Sequence, residues 1–218
     1  MRTDRLILFS GMGGDSRLYR HIRIPEVEMV TPDHVPPEAG ESLPQYAARI
    51  AEGHKIQPGD VVGGISFGGM IAGEIANQRP VAGLILLGSC LRPSRFPLVF
   101  RWAERVGRFV PDFVFAARSW SPLLRWRFAP IDDAAAECLA DMARNCPMSQ
   151  IRAFGRMALD WPGAENLTCP VLSVHGDWDR VIPLSFAEPG IVLKDAGHAF
   201  TLTHVPETVA AVRKFIGL

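Results

Sequence analysis

At 218 residues and 23.9 kDa, with 48% hydrophobic and 21% charged residues, the chain has the make-up of one globular domain with a real core, which excludes a disordered, collagen-like or low-complexity scaffold. Twenty-three Lys plus Arg balance twenty-three Asp plus Glu, so the overall positive charge expected of a nucleic-acid binder is missing. No apolar run approaches the ~18 residues of a membrane span, the N-terminal run at 6–9 is too short for the ~7–15 apolar residues of a secretory leader, and the four cysteines have no metal-ligand spacing, so a soluble cytoplasmic protein with mostly buried thiols is expected.

Residues 6–9 form a short apolar run stopped by Ser10-Gly11-Met12-Gly13-Gly14, the pattern of a buried strand ending in a turn. Residues 27–31 read as a weaker strand before a proline-rich stretch. Ser42 then caps a helix running to about residue 56, with Pro44 in its first turn. Residues 60–65 predict a strand, 67–78 a helix, and 81–87 a nearly continuous apolar strand. That succession demands right-handed crossovers and a parallel sheet covered on both faces. The alternation resumes with strands at 170–175 and 191–194 and a closing helix at 206–216, whose Val209, Val212, Phe215 and Ile216 face inward.

Residues 88–169 lack this alternation and are too many for a structureless loop. Three helical periodicities run through them: Val99, Trp102 and Val106; Ala135, Cys138, Leu139 and Met142; Ile151, Phe154, Ala158 and Trp161. Residues 91 to about 165 are therefore expected to form a helical insertion on the sheet, within a single domain spanning 1–218.

Gly64-Ile65-Ser66-Phe67-Gly68 follows an apolar strand and opens a helix, the setting of a nucleophile elbow. Such a turn holds the serine in a strained conformation, and small residues two before and two after let strand and helix pass closely. A serine hydroxyl needs an imidazole base and an acid to orient it. Of six histidines, His198 lies just beyond the last strand, where open α/β sheets build sites. His175 ends a strand and reads as packing, while His21, His34 and His54 read as solvated surface. His204 lies near His198 but has no supporting motif. For the acid, the loop Gly176-Asp177-Trp178-Asp179 offers two carboxylates, either of which could be a turn-forming aspartate. The glycine loop at 11–14 lacks the third glycine of a dinucleotide fingerprint, and no G-K-[ST] follows any glycine loop.

Together these motifs resemble the α/β-hydrolase superfamily. Gly64 to Gly68 matches its elbow, Gly176 to Asp179 with Pro183 its acid loop, and Gly197-His198 its histidine loop, in the family's chain order. The likeness covers residues 1 to about 90 and 168 to 218. It implies Ser66 as nucleophile, His198 as base and Asp179 as acid, with backbone N–H groups of Met12 and Phe67 as oxyanion donors and no metal or organic cofactor. Ser10 stands where the family usually has a histidine before the oxyanion glycine, so that loop is expected to be supported differently. The chain begins where the family's third strand begins, implying an α/β sheet reduced to about six mostly parallel strands with flanking helices and a helical cap.

Residues 91–165 hold eleven of the nineteen aromatics, most of them expected to glue the cap to the core and a few to line an apolar pocket. Residues 91–130 carry eight arginines and no lysine, with Arg101, Arg105 and Arg108 on one helical face. A solvated face is the default; an acidic carrier protein docking there is the functional alternative. The chain is similar in size and layout to esterases of carrier-bound methyl esters. The expected function is hydrolysis of a small or medium apolar carboxylic ester, with a thioesterase or carrier-linked methyl esterase, and a non-catalytic ligand-binding protein of this fold, as alternatives.

Overall fold

The computed structural model describes residues 2–93 and 121–218. Its strands are β1 (Arg5–Phe9), β2 (Glu28–Val30), β3 (Val61–Ile65), β4 (Gly83–Leu87), β5 (Val171–Gly176) and β6 (Ile191–Leu193). They form one six-stranded sheet in the order β2-β1-β3-β4-β5-β6, every neighbouring pair parallel. Helices α1 (Leu43–Gly53) and α2 (Phe67–Gln78) lie between strands in the first half. Between β4 and β5 come α3 (Ser121–Phe128), α4 (Asp133–Asn145) and α5 (Met148–Asp160); α6 (Phe200–Thr203) and α7 (Val205–Ile216) close the chain. The protein is thus the expected α/β sheet with an inserted helical region. Arg101, Arg105 and Arg108, with the first of the three periodicities, lie outside the described residues.

Apolar runs become parallel strands here because both sheet faces are covered. Along β1, Ile7 and Phe9 enter a core with α1 and α2, while Leu6 and Leu8 enter a second core with α7. The inserted helices divide between them. Phe154, Met157 and Ala158 of α5 join the first core, and Cys138, Leu139 and Met142 of α4 join the second.

Local chemistry sets the boundaries. Ser42 and Gln45 form the capping box of α1, with Pro44 in its first turn. That helix stops at Gly53, short of 56, because Lys55 turns left-handed at φ 51° and Ile56 N–H returns to Ala51 O at 2.9 Å. Pairing in β4 starts at Gly83 although the apolar run starts at Val81. Val81 is buried beside the strand, so hydrophobicity there reports burial and not pairing. Of the thiols, Cys90 and Cys138 are buried but Cys146 and Cys169 are partly exposed, fewer buried than expected.

A Cβ on Gly68 would collide with the Phe9 carbonyl, and one on Gly64 with the same carbonyl and with Gly68. At Gly53 nothing lies within 4 Å. Gly68→Ala is therefore expected to cost about 3 kcal/mol by overpacking, whereas Gly53→Ala leaves stability unchanged or raises it by a few tenths. Urea unfolding of the two variants measures the difference.

Candidate active site

Parallel strands deliver their C-terminal ends to one edge of the sheet, and the residues singled out in the sequence lie there. The turn Gly11–Gly14 follows β1, Ser66 follows β3, Gly88 follows β4, Asp179 follows β5 and His198 follows β6.

Ser66 adopts φ 56° and ψ −122°, a conformation that a non-glycine residue reaches at a cost of ~1–3 kcal/mol. The surroundings over-determine it. Its N–H donates to Leu87 O (2.9 Å) and its carbonyl accepts from Ser89 Oγ (2.6 Å) and Gly69 N–H (3.0 Å). Phe67 is the first residue of α2, so its N–H has no partner within the helix and lies at the positive end of the helix dipole. The Phe67 side chain is buried and tilts against Phe154 of α5, ring centroids 4.8 Å apart.

Asp179 is 5% exposed and accepts on both oxygens. Val181 and Ile182 N–H donate to Oδ1, each at 2.8 Å, and His198 Nδ1 donates to Oδ2 at 2.6 Å. A carboxylate only accepts, so the His198 proton sits on Nδ1 and Nε2 is left as the basic nitrogen. Burial alone would raise the Asp179 pKa. The charge of His198 and hydrogen bonds from His175, His198 and Ile182 outweigh it and hold the carboxyl well below the ordinary range.

Gly88 fits this pair to the elbow: a Cβ there would come within 3.3 Å of both Asp179 Oδ2 and His198 Nδ1, and its neighbour Leu87 carries the carbonyl that binds Ser66 N–H. A Cβ on Gly197 would strike the carbonyls of Phe128 and Ala129, where the inserted region crosses the histidine loop. Met12, 38% exposed, sits in the turn closed by Gly14 N–H to Gly11 O at 2.9 Å.

The structure thus joins His198 to Asp179 and places Ser66, Phe67 and Met12 on the same sheet edge. Asp177 is set apart from that pair: its Oδ1 accepts from Ala196 N–H at 3.2 Å, bracing the loop ahead of His198. His204 bonds its neighbour Thr203. Among the described residues no group of three His, Cys, Asp or Glu could hold a metal ion, and no helix is long and apolar enough to cross a membrane.

Three contacts escaped the sequence. His175 is fully buried, its Nε2 2.7 Å from Ile182 O and 3.3 Å from Asp179 Oδ2, so its packing role includes fixing the acid loop. Tyr19 OH donates to Phe9 O (2.6 Å) and accepts from Ile65 N–H (2.9 Å). His34, expected at the solvated surface, is partly buried instead, with Nε2 3.0 Å from Gly11 O and its ring against Phe154. Burial pushes its pKa below the ordinary histidine value, against the opposing pull of the Gly11 carbonyl. Strand order held the missing signal: β2 pairs with β1 in parallel, so a residue just past β2 falls beside the turn just past β1.

The sequence profile of the alpha/beta hydrolase family matches residues 6–212. No curated protein matches the chain. Among solved structures the fold is similar to an esterase from Thermogutta terrifontis, at 24% identity and TM-score 0.73 over 99% of this chain and 90% of that one. It is also similar to an esterase from Exiguobacterium antarcticum (14%, TM-score 0.77, 100% and 94%) and to a hydrolase from Oleispira antarctica (14%, TM-score 0.77, 100% and 91%). At these identities the likeness establishes a shared fold.

A carboxyl whose folded pKa lies below its unfolded value of ~3.9 binds fewer protons in the folded state. The stability Asp179 contributes is therefore complete above that value and is lost as pH falls through the depressed folded pKa. Asp179→Asn removes this titration, so its melting temperature should fall less steeply with acid below about pH 5 than that of the wild type. Parallel slopes in thermal melts would contradict the ionised, multiply bonded state of Asp179.

Proposed function

The chain belongs to the alpha/beta hydrolase family, and on that premise we propose that it is a serine esterase acting on carboxylic esters of small to medium apolar acyl groups. The observation that carries this reading is the buried 2.6 Å His198–Asp179 hydrogen bond on the sheet edge where Ser66 occupies a strained strand-to-helix turn. Ser66 Oγ attacks the ester carbonyl while His198 Nε2 takes its proton. Asp179 keeps the ring in the Nδ1–H tautomer and stabilises the imidazolium. Negative charge gathers on the former carbonyl oxygen, facing the N–H groups of Met12 and Phe67. Collapse expels the alcohol with the proton from His198, and water, activated by the same nitrogen, releases the acid from the acyl-enzyme. No cofactor enters these steps. The likeness to solved esterases supports the choice of ester, and Phe128, tilted against His198 with centroids 5.9 Å apart, offers an apolar wall beside the base.

Narrower readings are a thioesterase and an esterase of carrier-linked methyl esters, the carrier-linked one resting on the arginine stripe of the sequence and on the similarity in size and layout. A panel of esters and thioesters of graded chain length, with and without an acidic carrier, sorts them.

A fluorophosphonate should label Ser66 covalently, because an activated serine beside oxyanion donors attacks phosphorus and an ordinary serine does not. His198→Ala should abolish the labelling and His204→Ala should leave most of it. Labelling at another residue would remove the triad. Turnover of a p-nitrophenyl ester that disappears in Ser66→Ala separates an enzyme from a binding protein of the same fold.

On that ester, Asp179→Asn should lower kcat by roughly 10³- to 10⁴-fold, since the imidazole loses its tautomer and its counter-charge. Asp177→Asn should cost much less, because its carboxylate touches Ala196 N–H and not the base. Equal losses at equal stability would overturn the division of labour between the two aspartates.

A further inference from the structure

We infer that His34 is a positioning residue that aims the Gly11–Met12 peptide as an oxyanion donor, an inference that rests on the esterase reading above. Gly11 C=O and Met12 N–H belong to one planar trans peptide, so they point in opposite directions and turn together. Whatever grips the carbonyl therefore sets the direction of the N–H. Two donors grip it: Gly14 N–H at 2.9 Å from within the turn and His34 Nε2 at 3.0 Å from outside it. A carbonyl oxygen has two lone pairs, and both are taken. Since a carbonyl cannot donate, the His34 proton sits on Nε2. A donor on the oxygen also polarises the amide and strengthens its N–H toward an anion on the far side.

Ser10 does not perform this service. It stands next to Gly11, but its Oγ is buried with no hydrogen-bond partner in the described structure. His34 reaches the same loop from the segment after β2. Its ring is fixed by Phe154 (centroids 4.8 Å apart) and Phe67 (6.2 Å), and the segment itself is fixed by Asp33 Oδ1, which accepts from Ser16 N–H at 2.9 Å. The Nε2 edge of His34 thus meets the first oxyanion peptide while its ring lies beside the side chain of the residue that supplies the second.

The test compares His34→Phe, which keeps an aromatic ring and removes the donor, with His34→Gln, whose Nε2 restores a donor near the same position. Three quantities are read on a p-nitrophenyl ester: kcat, KM, and inhibition by a trifluoromethyl ketone, whose adduct carries the oxyanion. His34→Phe should lower kcat by roughly 10- to 100-fold, less than loss of an oxyanion donor itself, with KM changed by less than about threefold. Ketone affinity should fall in step with kcat, and His34→Gln should recover most of both. Should His34→Phe fail to fold, His34→Met, equally without a donor, takes its place with the same expectation. Unchanged kcat and ketone affinity in the donor-less variant, or equal losses in the Phe and Gln variants, would overturn the inference and leave the esterase intact. Wild-type protein that neither turns over the ester nor takes the fluorophosphonate would remove the esterase reading, and this inference with it.

Discussion

Two stretches of backbone meet at the top of the sheet with no side chain between them, and the arrangement of the candidate site follows from that contact. The start of α2 lies against the end of β1 so closely that Gly64 and Gly68 face the Phe9 carbonyl directly. Where β1 and β3 diverge, the Phe9 carbonyl and the Ile65 N–H would be left buried and unpaired, at a cost of ~1–3 kcal/mol each. The Tyr19 hydroxyl serves both. Its burial keeps the phenol neutral, since desolvation raises its pKa far more than the bond to Ile65 lowers it. The turn after β1 and the turn holding Ser66 are consequently one unit, which is how the positive φ at Ser66 persists.

The second fixed point is Asp179. Burying a carboxylate is costly unless it is well hydrogen-bonded, and here two backbone N–H groups and His198 donate to it, with His175 Nε2 close by. The short bond to His198 is charge-assisted and sets the ring's tautomer, linking the fold of the acid loop to the proton chemistry of the base. Asp177, two residues earlier, has a backbone N–H as partner and shapes the path of the chain toward His198.

The inserted helices are part of both cores. Phe154 is fully buried against Phe67 and Tyr46, and Trp161 Nε1 donates to the buried Glu74 of α2 at 2.6 Å. On the opposite face, Met142 Sδ accepts from Asp15 N–H, and Arg17 bridges Asp15 to Asp141 of α4. Those surface ion pairs contribute little energy, because solvent screens charges this exposed. Their consequence is positional: the turn after β1 is tied to α4 while His34, beside the same turn, is packed against α5.

The elements of the sheet, the capped helix α1 and the elbow were legible in the sequence because each is written locally, in apolar runs, a Ser-Pro-Gln start and glycines at fixed offsets. The same local signals marked the helices at 133–145 and 148–160 within the insertion. What only the tertiary structure decided was which group meets which across distant segments. From the residues alone Asp177 and Asp179 are alike as loop aspartates, only the family resemblance favouring Asp179, and the register between β5 and β6 brings Asp179 to His198. His34 looked like a surface residue because no motif in its segment supports it, yet strand order places it against a turn 23 residues earlier. Tyr19 carries no motif at all, and its hydroxyl acquires a role only where two parallel strands separate. Periodicity and turn chemistry act over a few residues and can be read along the chain; hydrogen bonds between loops depend on how the sheet orders its strands, which no short window contains.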